Sequence, residues 1–147
     1  MSDDILTQLI TISNKLGDPA NDYVILGEGN TSAKKDDDTF WVKASGTQLH
    51  TIGADGFVEV SFKRVLAMLN GPELSDNEVK EALIASKVDP QATGHPSVET
   101  VLHTICLSLV YLALAMLGTP IPAPSIWSPV PLLLRQPFGV ACSPMEL

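Results

Sequence analysis

The stretch from Gly29 to Leu49, GNTSAKKDDDTFWVKASGTQL, decides how this chain is read. Two runs of strand-forming residues, Thr31–Lys35 and Thr39–Lys43, flank Asp36-Asp37-Asp38. Short acidic side chains in that position hydrogen-bond their own backbone and favour a turn, so the stretch predicts a hairpin. At its two ends stand glycine-containing corners, Gly29-Asn30 and Ser45-Gly46. These corners sit at strand ends and are expected to point backbone N–H groups and short hydroxyl or amide side chains outward.

Working outward, Ile5, Leu6, Leu9, Ile10, Ile12 and Leu16 recur at helical spacing, and Gly17 reads as a stop. Tyr23–Leu26 reads as a short strand entering Gly27-Glu28-Gly29-Asn30. Phe57–Phe62 alternates as a further strand. Phe62–Asn70 and Asp76–Lys87 read as helices, the second capped by Ser75. A last helix is expected to open at Pro96, because proline at a first helical position loses no hydrogen bond. Ser97 then falls in its first turn, where unpaired N–H groups and the macrodipole favour an anion. Together the three polar corners would cradle a phosphate without an arginine.

Glu99 follows in the same helix, with His103 four residues on. The pair reads either as a carboxylate complementing the helix dipole and bonded to His103, or as a general acid/base beside a bound anion. His95 reads as a cap or surface residue, and His50 has no partner in the sequence.

At 147 residues the chain suits one core, and a formal charge of −8 gives no electrostatic footprint for nucleic acid or an anionic membrane. Met1-Ser2-Asp3-Asp4 lacks the basic and apolar regions of a secretory signal, and Cys106 and Cys142 form no metal spacing or disulfide framework, so a cytoplasmic location is expected. Composition then divides the chain. Every acidic residue except Glu146 lies at or before Glu99, every basic residue except Arg135 at or before Lys87, and seven of the eleven prolines fall between Pro120 and Pro144. The apolar run Ile105–Leu117 is short for a membrane span and suits a buried helix. Beyond it, prolines are too closely spaced for a helix or a central strand.

Four motifs in order, GEGNTSAK, FWVKASGTQL, DGFVEV and HPSVETVLHTICL, resemble the class II aldolase/adducin family over about residues 5–109. The resemblance implies an α/β fold of three layers, an antiparallel-rich central sheet with flanking helices. It implies reversible metal-dependent aldol cleavage of a sugar phosphate, as in zinc-dependent fuculose and rhamnulose phosphate aldolases, which yield dihydroxyacetone phosphate and lactaldehyde. The motifs are also similar to the aldolase half of aldolase/dehydrogenase fusions. Gly29, Asn30, Ser45, Gly46 and Ser97 match the family's phosphate-binding positions, and Glu99 matches its catalytic acid/base. Many members carry a second serine where this chain has Val98. The resemblance also implies a homo-oligomer for the complete family member.

The family next places His-x-His-Pro, whose histidines bind the metal, and a third histidine later. Here no histidine follows His103, and the corresponding stretch reads Leu117-Gly118-Thr119-Pro120-Ile121-Pro122. The codons of Thr, Pro, Ile and Pro, read one base earlier, permit His-Thr-His-Pro. The sequence therefore suggests residues 1–109 as the N-terminal part of the domain and 110–147 as an anomalous proline-rich tail, translated out of frame after a shift between about Leu107 and Val110. On this reading zinc belongs to the complete family member and is not bound by this chain, which would be inactive. The alternative is a non-catalytic binding or scaffold protein of the adducin branch.

Overall fold

A computed structural model describes residues 2–24, 29–109, 113–116 and 140–143. Helix α1 spans Ser2–Gly17. The hairpin follows as β1, Asn30–Lys34, and β2, Thr39–Lys43. The turn forms as its aspartates predict: Asp36 Oδ1 accepts hydrogen bonds from the main-chain N–H groups of Asp38 and Thr39 at 2.9 and 2.7 Å. Strand β3, Phe57–Ser61, leads into helix α2, Phe62–Leu69. Helix α3, Asp76–Ala85, carries a capping box in which Ser75 and Glu78 satisfy each other's end of the first turn. Helix α4 covers Thr100–Leu109, and β4, Ala113–Met116, and β5, Val140–Ser143, complete the described elements.

The strands form one sheet in the order β3-β2-β1-β4-β5, every neighbouring pair antiparallel. Register puts Phe40 opposite Val60 and Val42 opposite Val58. These four face α2, α3 and α4, packing with Phe62, Val65, Leu83 and Leu107 in one core. The alternate residues Ala33, Trp41 and Phe57 face the other way, toward Leu9 and its neighbours on α1. The period-2 alternation of strands thus produces two cores and three layers, as expected. On the α1 side the layers are also tied by a buried Ser13–Thr31 hydroxyl pair at 2.7 Å.

Gly17, the last residue of α1, leaves no room for a side chain: a Cβ there would lie against the main-chain nitrogen of His50 and 2.7 Å from the Leu49 carbonyl carbon.

Several sequence expectations are corrected. Tyr23 and Val24 are not in a strand, and Ile25 and Leu26 lie outside the described residues, as do Gly27 and Glu28. Helix α3 stops at Ala85, since Lys87 bridges Val60 and Val88 N–H donates to the Glu59 carbonyl at 2.9 Å, continuing the sheet edge. The last helix opens at Thr100 rather than Pro96, because Pro96 is held as a β-bridge against Ala44. Within the apolar run, the helix ends at Leu109 and residues 113–116 pair with β1. The proline-dense residues 117–139 lie outside the described residues.

Candidate functional site

The antiparallel register of β1 and β2 runs to Ser32 opposite Val42, and Asn30 and Ala44 each lie two residues beyond that pair. Ala44 in turn bridges Pro96, and Ser45 N–H donates to the His95 carbonyl at 2.8 Å. The segment ahead of α4 is thereby laid along the end of the hairpin. Ser97 follows at once, and Asn30 Nδ2 donates to its Oγ at 2.7 Å across 67 residues of sequence. Gly29, Asn30, Ser45, Gly46 and Ser97 are thus gathered at one end of the sheet.

Their chemistry is that of hydrogen-bond donors. Gly29 and Gly46 hold φ of +115° and +82°, left-handed values that glycine adopts without strain. Ser45 and Gly46 are exposed, whereas Asn30 is only 5% exposed. Because Ser97 Oγ accepts from Asn30, its own proton is available to donate, and Nδ2 keeps a second hydrogen. Asn30 Oδ1 is buried without a partner, an acceptor suited to a ligand hydroxyl. The Ser45 N–H is already used by His95, so that corner offers the Ser45 hydroxyl and the Gly46 main chain, not two free N–H groups.

Ser97 and Glu99 are placed differently from the sequence expectation. Ser97 precedes the helix by three residues, and its carbonyl accepts from Thr100 N–H at 3.0 Å. Glu99 is the residue just before α4, its carbonyl accepting from His103 N–H at 3.0 Å, and its side chain is half-buried. The expected Glu99–His103 side-chain pair is not formed. His103 is fully buried against the sheet, and its Nδ1 shares a 2.5 Å hydrogen bond with Ser32 Oγ while Nε2 is unpartnered. Burial pushes its imidazole down to a pKa of about 3, so the ring is neutral.

Sequence reasoning missed Lys43. It ends β2 two residues before Ser45 and is 7% exposed. Burial lowers its ammonium below the ordinary lysine value, and the charge of Glu99 pulls it partly back. The signal was a lone lysine closing an apolar strand next to a glycine corner. Hydrophobic alternation alone does not say whether such a side chain is buried.

The zinc implied by the resemblance finds no fitting donor set. Among the described residues no group of three or more His, Cys, Asp or Glu side chains is placed to hold a metal ion. His103 is sealed in the interior with Nδ1 engaged, and His50 and His95 are exposed on separate segments. Glu99 is left as a single carboxylate.

Among the described residues no helix is long and apolar enough to cross a membrane. No curated protein matches the chain. Solved structures that share its architecture include two class II aldolase proteins. The N-terminal class II aldolase domain of a conserved protein from Thermoplasma acidophilum superposes with a TM-score of 0.64 at 28% identity, over 80% of this chain and 61% of that one. An L-fuculose 1-phosphate aldolase superposes with a TM-score of 0.54 at 19% identity, over 79% of this chain and 44% of that one, a likeness of fold. The chain therefore spans less than two thirds of the length of either. The model of the class II aldolase and adducin N-terminal domain matches residues 7–123, most of the sequence, and on that match the chain belongs to the class II aldolase and adducin N-terminal domain family.

Proposed function

We propose that the sheet end formed by Gly29, Asn30, Ser45, Gly46 and Ser97 binds the phosphate of a small sugar phosphate, with Glu99 as the acid/base that moves a proton on the bound carbon skeleton. The observation that supports it most is the 2.7 Å bond from Asn30 to Ser97, which brings together two polar side chains 67 residues apart in sequence. Fuculose 1-phosphate is the substrate named for one protein of like fold, and aldol cleavage is the reaction this reading carries over. In such a cleavage the Asn30 and Ser97 donors hold the phosphate, Ser45 and Gly46 close its other side, and Glu99 exchanges a proton with the substrate.

Among the described residues no side chains are grouped to hold a metal ion, and a second reading for this chain is a binding or scaffold protein with the anion site and no turnover. The out-of-frame origin of residues 110–147 stays a proposal beside it. The family match runs to residue 123 and residues 113–116 pair with β1, so the nucleotide sequence around Leu107–Val110 is the deciding observation. A cytoplasmic location and homo-oligomeric assembly of the complete protein belong to the same proposal.

Phosphate titration by calorimetry tests the anion site. Asn30→Ala should weaken binding by about 1.5–3 kcal/mol, the worth of a hydrogen bond to a charged group. Equal affinities in the two proteins would remove Asn30 from the site.

A further inference from the structure

The layer between the sheet and its helices changes character from one strand to the next. Where β2 and β3 meet the helices the contact is apolar, with Phe40, Val42, Val58 and Val60 packed on Val65 and Leu107. Where β1 meets α4 and the residues just before it, the contact is polar. Asn30 and Ser32 share one face of β1, since alternate residues of a strand point the same way. Asn30 Nδ2 donates to Ser97 Oγ at 2.7 Å, and Ser32 Oγ shares a 2.5 Å hydrogen bond with His103 Nδ1. These are two ties between the same two segments. Thr100, fully buried, lies between them along the chain. Asn30 Oδ1, Thr100 Oγ1 and His103 Nε2 are buried without a partner among the described residues. Unmet polar atoms cost stability that apolar side chains of similar size would retain. Departures of this kind collect where a site has to be held in one geometry.

We infer that His103 is a positioning residue of the sheet-end site: through Ser32 it fixes how α4 lies against β1, and so sets the separation of Asn30 from Ser97. The purpose of that separation rests on the anion-site reading above. Its ring is fully buried, so His103 acts through these partners and touches no ligand itself. Hydrogen bonds weaken steeply with distance and angle, and a single tie leaves the helix free to pivot about it. A second tie on the same strand face removes that freedom, as a preorganised site requires. His103 N–H also donates to the Glu99 carbonyl at 3.0 Å, so the turn held by the ring is the one that begins at Glu99.

Removing both partners of the second tie tests it on the full chain. Ser32→Ala with His103→Leu replaces them by apolar groups, so neither is left as a buried orphan. The urea midpoint of this double variant at neutral pH should equal or exceed that of the unmodified protein. Its phosphate affinity by calorimetry should nevertheless fall roughly tenfold, about the net worth of one hydrogen bond. His103→Asn is the converse, because its amide replaces Nδ1 as a partner for Ser32 but leaves space where the ring was. Its midpoint should fall while its phosphate affinity is retained. A residue that only supported the fold would move the two quantities together. A further readout needs no phosphate: the two side-chain amide protons of Asn30, one of them bonded to Ser97, should have well-separated NMR shifts that converge in the double variant. That convergence, with no phosphate binding by the unmodified protein, would uphold the positioning role and overturn the phosphate reading. Unchanged Asn30 amide shifts with equal phosphate affinities, or a double variant of lower stability, would overturn the inference even if phosphate binds.

Discussion

Lowering the pH from about 7 to about 5 should destabilise this fold by about 2 kcal/mol through His103 alone. The ring is fully buried on α4, with Ser32 at Nδ1 and nothing at Nε2, and its folded pKa is about 3 against an ordinary 6.5. The unfolded chain therefore binds a proton that the folded chain refuses. Stability falls as pH drops below 6.5 and continues to fall until the folded pKa of about 3. Within that window the slope approaches about 1.4 kcal/mol per pH unit. Carboxylates do not confuse the upper part of it. Asp36, where burial is outweighed by hydrogen bonds from Asp38 and Thr39, and Glu78, bonded to the Ser75 hydroxyl and N–H, are both held below the ordinary carboxylate value, so they lose their contribution at lower pH. Urea denaturation reads the effect: for a chain of this size a loss of about 2 kcal/mol moves the midpoint by about 1 M at constant slope. His103→Gln should flatten the pH dependence whatever its own stability. A midpoint unchanged between the two pH values would show that His103 is hydrated or protonated in the native state, and the buried-neutral assignment would fail.

Gly17→Ala should cost about 1–3 kcal/mol or more, because its new methyl meets the backbone of Leu49 and His50. Gly46→Ala has open space around it and should cost only about 1 kcal/mol for its left-handed φ; denaturant midpoints in the reverse order would contradict both assignments. The 147-residue chain should not retain stoichiometric zinc through dialysis, and one tightly held zinc per chain by elemental analysis would mean that a donor set has been missed. In a frame-restored protein, Glu99→Gln should keep phosphate binding and lose turnover by roughly 10²–10⁴-fold in release of dihydroxyacetone phosphate; normal turnover would remove Glu99 from acid/base work.

The elements that local chemistry specifies were legible in the sequence. The Asp36–Asp38 turn, the alternation of β2 and β3 and the Ser75 cap each rest on residues close together in the chain, and each appears where expected. Pro96 shows where that logic stops. Its preference for a first helical turn is overruled by pairing with Ala44 and by the Ser45–His95 bond, contacts made across about a third of the chain. The site divides in the same way. Glycine corners at Gly29 and Gly46 could be read as outward-facing turns, but the meeting of Asn30 with Ser97 follows from sheet register and the bridge at Ala44, which no local pattern encodes. Burial was the other hidden quantity: it isolates His103 from Glu99 and strips Lys43 of water, and a side chain's depth depends on which layers close over it.

The bond between Asn30 and Ser97 has a consequence for how the protein folds. The hairpin can form early from neighbours in sequence, whereas a contact across 67 residues requires the long intervening loop to close first. On the proposed reading, an anion held by both residues would recognise the finished molecule and not the hairpin alone. Such a ligand stabilises by mass action, about 2.7 kcal/mol at a hundredfold excess over its dissociation constant. Since the site is assembled late, that gain appears as slower unfolding with little change in the folding rate. Phosphate in the refolding buffer would then act as a latch on the native state, set after the chain has found its way there.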